Sequence, residues 1–184
     1  MDGKRGRPRF NGKSAGGWAA VLLLLLCAGC GYRFSPGGEN IPPEIRTVFV
    51  EIFANKTSEA NFENYIRSSF VDQFVRSSRF KLADAKETAD AVLRGSIDGI
   101  YSSPLSYRAT NLAAEERLTV SMHVVFEDRL SGKAIWTGEN AQGIGDYMVD
   151  AANPTVTQTN RRNALTKLAS DAAEKTYRLM MSGF

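Results

Sequence analysis

Leu118-Thr119-Val120-Ser121-Met122-His123-Val124-Val125-Phe126 sets the frame of the fold, because Leu118, Val120, Met122, Val124 and Phe126 alternate with Thr119, Ser121 and His123. Successive side chains of a strand point to opposite faces, so this spacing predicts a strand with one face on a core and one polar face. Downstream, Asp128 to Lys133 contains Ser131-Gly132-Lys133, a turn composition, and leads into a further run from Ala134 to Asn140. The two runs are expected to pair as an antiparallel hairpin. Upstream, from Ala91, Leu93, Gly95, Ile97, Gly99 and Tyr101 alternate with Arg94, Ser96 and Asp98, a second long strand. Ser102 to Ala114, with Pro104 and Asn111, reads as the linker between these strands.

Working outward, Thr47 to Phe53 alternates with apolar residues on both faces, as an interior strand does. Phe62, Tyr65, Ile66, Ser69, Phe70, Gln73 and Phe74 fall at three- and four-residue spacing, the stripe of an amphipathic helix, and Phe80-Lys81-Leu82 can form a short strand after it. A glycine-bearing passage through Gly143 and Gly145 precedes Asn153-Pro154, where Asn caps and Pro opens a helix. Leu165, Leu168, Ala172, Thr176 and Leu179 mark one face of that helix, which runs to about Met181. Strand, helix, strands, helix predicts an α+β fold: a two-layer sandwich, a mostly antiparallel sheet of about four strands with two helices packed on one face. The other sheet face, with Arg94, Asp98, Thr119, Ser121 and His123, is then polar and open to water or a partner.

The chain begins with Lys4, Arg5, Arg7, Arg9 and Lys13, followed by the apolar run from Trp18 to Leu26 and by Ala28-Gly29-Cys30. That run is shorter than the roughly 20 residues of a membrane-spanning helix, so residues 1–29 read as a signal peptide that is cleaved. Ala28-Gly29-Cys30 resembles the lipobox of bacterial lipoproteins, with Cys27 standing where Leu is usual; this implies that Cys30 carries lipid. Residues 30–45, rich in Pro and Gly, read as a tether, and 46–184 as a single domain. The mature chain keeps 18 Lys and Arg against 19 Asp and Glu, a net charge of about −1, which argues against a nucleic-acid partner. Only one cysteine remains after cleavage, so no disulfide forms within the mature chain.

Catalytic and metal chemistry finds little support. His123 is the one histidine and falls on the polar face of a strand; no Gly-x-Ser-x-Gly elbow is present, and soft metal ligands are missing. The carboxylates of Glu115/Glu116 and Glu127/Asp128 are adjacent in strand-like runs and point to opposite faces, so neither pair shares a proton. No enzyme activity and no cofactor is expected beyond the covalent lipid.

Cys30-Gly31-Tyr32-Arg33-Phe34, Val48 to Phe53 followed by Asn55-Lys56-Thr57, Ala60-Asn61-Phe62-Glu63, Ala89 to Ile97, the Asp128 to Trp136 hairpin and Arg162-Asn163-Ala164-Leu165 occur in an order that resembles the LptE family of lipopolysaccharide-assembly lipoproteins. The resemblance implies a two-layer domain anchored at the periplasmic side of the outer membrane. It further implies that the domain plugs the barrel of an LptD-like protein, helps that barrel assemble and assists lipopolysaccharide transport to the outer leaflet. For contact with lipopolysaccharide phosphates the candidate cations are Arg108, Arg117 and Lys133. The rival reading is a periplasmic lipid-binding or scaffolding lipoprotein of another envelope machine.

Overall fold

Strands β1 (Thr47–Val50) and β2 (Ala54–Asn55) lead into helix α1 (Phe62–Ser77); β3 (Lys81–Leu82), β4 (Ala91–Tyr107), β5 (Ala113–Asp128) and β6 (Ala134–Met148) follow, and helix α2 (Pro154–Ser182) closes the order. This computed structural model describes Gly3 and residues 40–107 and 113–183. All of these elements belong to one compact unit, which spans residues 37–184. The fold is α+β, as expected, with a sheet ordered β3-β1-β4-β5-β6 and β2 also against β4.

The core grows from the alternation in β5. Leu118, Val120, Met122, Val124 and Phe126 are all fully buried. On α1, Phe62, Ile66, Phe70 and Phe74 recur every fourth residue and bury one stripe. The Phe74 ring centroid lies 5.3 Å from that of Tyr177, 5.7 Å from Phe80 and 6.5 Å from Phe126, so helices and sheet meet on one aromatic cluster. Asn153 caps α2 as expected, its side chain accepting from the Thr155 and Val156 amides at 3.2 and 3.3 Å, and Gly183 ends the helix at φ 80°.

Several expectations need correction. The sheet has six strands where about four were expected, and β1 runs parallel to both β3 and β4, as β2 does to β4. The reason is local: α1 lies between β1 and β3 and returns the chain to the same edge, which a helical crossover does in parallel. The expected linker 102–114 is largely strand, since β4 runs to Tyr107 and β5 begins at Ala113. Residues 101–107 are all exposed, so no apolar alternation marks that end of β4.

A register shift between Ile97 and Gly99 moves the faces of β4 by one residue. Gly99 and Tyr101 therefore join Arg94 and Ser96 on the open face, while Ile100 packs against the core. Ile52, expected on a strand face, is 64% exposed because β1 ends at Val50, and Leu179 is 45% exposed while Met180 is buried. Ile41 and Ile45, upstream of the boundary expected at 46, are buried in the core.

Gly143 and Gly145 lie inside β6 and not in a loop. A Cβ on Gly143 would sit 2.6 Å from Ala172 Cβ, and one on Gly145 2.6 Å from the Ala164 carbonyl, so α2 rests directly on the strand backbone. α2 also protects this edge strand: Asp171 accepts from the Ile144 amide at 2.9 Å, and Asn160 donates to the Met148 carbonyl at 3.0 Å.

Candidate functional site

The residues of β4, β5 and β6 that do not feed the core form the open face, and their charges are paired across strands. Arg94 of β4 meets Glu127 of β5 at 2.8 Å. Because Arg94 stands opposite Val125 and Glu127 opposite Val92, this pair crosses diagonally between the two valines, which are 7% and 0% exposed. The guanidinium stem and its partner carboxylate thus roof a small apolar patch with a charged surface. Lys86 adds an ion pair to Glu51 at 2.5 Å.

Toward the middle of the face, Lys56 meets Asp98 at 2.7 Å, and Ser96 donates to the same carboxylate at 2.7 Å. The Lys56 and Ser96 hydrogen bonds hold Asp98 below the usual carboxylate range. His123, where the sequence placed it, lies 3.3 Å from Glu139. Arg117 grips Asp146 with two parallel bonds of 2.8 and 2.9 Å, which lowers the Asp146 pKa. The result is a surface whose charges are matched across strands, suited to recognition of another polar surface.

The expected cations are not brought together. Cys30 and Arg108 lie outside the described residues. Arg117 turns the Nε–Nη2 edge of its guanidinium onto Asp146, near the Met148 end of β6. Lys133 is exposed in the β5–β6 turn, at the opposite end of those strands, and makes no ion pair among the described residues. Among the described residues, no group of three or more His, Cys, Asp or Glu side chains is placed to hold a metal.

A second polar cluster sits at the far end of the helix-covered face. Glu116 shares the face of Leu118, where a carboxylate needs partners. It accepts a short hydrogen bond from the Tyr147 hydroxyl and one of 2.7 Å from Ser102, and these bonds lower its pKa. Burial, and then the bond to Glu116, raises the Tyr147 pKa. Close by, Arg161 of α2 meets Glu59 at 2.7 Å, and Asn55 holds the Glu59 carbonyl and the Glu63 carboxylate at 2.8 Å each. This cluster ties α2, the loop before α1 and the base of the β4–β5 hairpin together. The one sequence signal for it was the parity of Glu116 with Leu118 and Val120.

The profile of the family described as "LptE: Lipopolysaccharide-assembly" matches residues 45–180. Among solved structures, the fold is similar to that of uncharacterized lipoprotein B from Nitrosomonas europaea, with a TM-score of 0.54 at 12% identity, covering 76% of this chain and 84% of that one. The minor lipoprotein from Acinetobacter baumannii superposes with a TM-score of 0.53 at 14% identity, over 77% of this chain and 95% of that one. The rare lipoprotein B from Shewanella oneidensis gives 0.50 at 18% identity, over 75% and 96%. No curated protein sequence matches the chain.

Proposed function

The chain belongs to the LptE family of lipopolysaccharide-assembly lipoproteins, and we propose that it is anchored by lipid on Cys30 at the periplasmic side of the outer membrane, where its domain plugs and helps assemble an LptD-like barrel. In this reading residues 1–29 are removed, the chain is a non-catalytic partner, and its barrel delivers lipopolysaccharide to the outer leaflet.

The observation that carries the reading is the family match over residues 45–180. The open face supports it. The lumen of a wide transmembrane barrel is polar, so a plug needs a well-packed core behind a hydrophilic exterior whose charges are already paired. Arg94–Glu127, Lys56–Asp98 and Arg117–Asp146 provide that exterior. Direct contact with lipopolysaccharide phosphates is part of the proposal, through Lys133 as the exposed cation, Arg117 where it exchanges Asp146 for phosphate, and Arg108. Arg117 and Lys133 stand at opposite ends of the strands and serve separate contacts.

Depletion in the native bacterium tests the proposal, with the folded state of the barrel and surface lipopolysaccharide both assayed. Loss of both is expected. Normal levels of both would overturn it in favour of a scaffolding lipoprotein of another envelope machine.

A further inference from the structure

The turn between β5 and β6 holds an exposed leucine on a rigid support. Gly132 donates to the Asp128 carbonyl at 2.9 Å, the Ser131 amide and hydroxyl both donate to the Asp128 carboxylate at 2.7 Å, and the Asp128 amide donates to the Lys133 carbonyl at 3.0 Å. Arg129 fixes the turn to the segment just before β4, its side chain donating to the Ala89 carbonyl at 2.6 Å and its amide to the Asp90 carbonyl at 3.0 Å. Leu130, at the tip, is 81% exposed, the most exposed large hydrophobic residue among those described. Turn tips favour small polar residues, and at 81% exposure Leu130 buries almost none of its side chain within its own fold.

The same end of the domain is where the chain comes in from its N-terminal side. Asn40 donates to the Met180 carbonyl at 3.1 Å, and a cleft of about 390 Å³ is lined by Asn40 and Pro42 together with Ser131, Lys133 and Ile135 of the turn region. Residues 31–39 separate Asn40 from Cys30, and fully extended they reach at most about 35 Å. A lipid on Cys30 therefore holds Asn40 and the adjoining turn within about 35 Å of the bilayer, whereas Tyr107, opposite Ala113, stands roughly 50 Å farther along the 16-residue β5.

We propose that the β5–β6 turn is a second membrane contact, in which Leu130 seats in the surface of the phospholipid leaflet holding the Cys30 lipid and the Lys133 ammonium meets its phosphates. An apolar side chain beside a cation is the pattern by which proteins lie in the headgroup region. The inference rests on the Cys30 anchor of the preceding section and not on barrel insertion.

The test uses the lipidated full chain in phosphatidylethanolamine–phosphatidylglycerol vesicles that carry a spin-labelled quencher lipid. Leu130→Cys and Tyr107→Cys are labelled separately with a fluorophore; with residues 1–29 removed and Cys30 acylated, each has a single free thiol. Quenching several-fold stronger at 130 than at 107, reduced by Lys133→Glu, is expected. Equal, weak quenching at both positions in protein that floats with the vesicles would overturn the contact while leaving the anchor intact. Protein that does not float would overturn the anchor and the contact with it.

Discussion

On the helix-covered face of β5, Leu118, Val120, Met122, Val124 and Phe126 are fully buried; one residue along each time, Thr119, Ser121 and His123 stay partly exposed on a face whose charges are paired across strands. The backbone is the same, so the difference lies in what each face is set against. Apolar burial under α1 and α2 stabilises the domain in a way that salt and pH barely change. Exposed ion pairs add little stability and are screened by salt. The open face is thus free to be selected for a partner, while the covered face carries the fold.

The sharpest way to break this contrast is on the covered side. Phe74→Ala removes the ring that joins Tyr177, Phe80 and Phe126 and should cost about 3–5 kcal/mol in a denaturant titration. Leu168→Ala, fully buried on α2, should cost about 2–5 kcal/mol. Gly143→Ala tests the close approach of α2 instead of its apolar area. With its Cβ 2.6 Å from Ala172, it should cost about 1–3 kcal/mol by overpacking and lower the thermal midpoint.

Asp90 sharpens the comparison with a carboxylate that serves the backbone. It accepts from the Arg46 and Thr47 amides at 2.9 and 2.8 Å, and these bonds hold its pKa low. A carboxylate whose folded pKa is depressed stabilises above its unfolded value, about 3.9, and loses that contribution as pH falls toward the lower folded value. Asp90→Asn should therefore cost about 1 kcal/mol at neutral pH, and urea titrations of the two proteins should begin to draw together as pH falls below about 4 and meet only below the lowered folded pKa. Thr119→Ala, on the open face, should change stability by less than about 0.5 kcal/mol. A loss equal to that of Val120→Ala would place the two residues on the wrong faces.

What the sequence made legible follows the same divide. Where one face is buried, the spacing is unambiguous: β5, the Phe62 to Phe74 stripe, the capped start of α2 and the α+β class all follow from it. Where neither face is buried, as at residues 101–107, alternation gives out and a strand looks like a linker. A register shift at Asp98 carries no compositional mark, so alternation alone puts Gly99 and Tyr101 on the wrong side. Gly143 and Gly145 resemble loop residues because a helix lying on a strand backbone and a turn both ask for a missing side chain. The Glu116 cluster depends on Tyr147, Arg161 and Glu59, far apart in sequence and joined only by the fold.

Purification of the full chain from detergent-solubilised outer membranes tests the proposed role most directly. One large β-barrel protein in equal amount, retained through washing, is the expected result. Recovery of the lipidated chain alone, or with a periplasmic assembly that lacks a barrel, would contradict it.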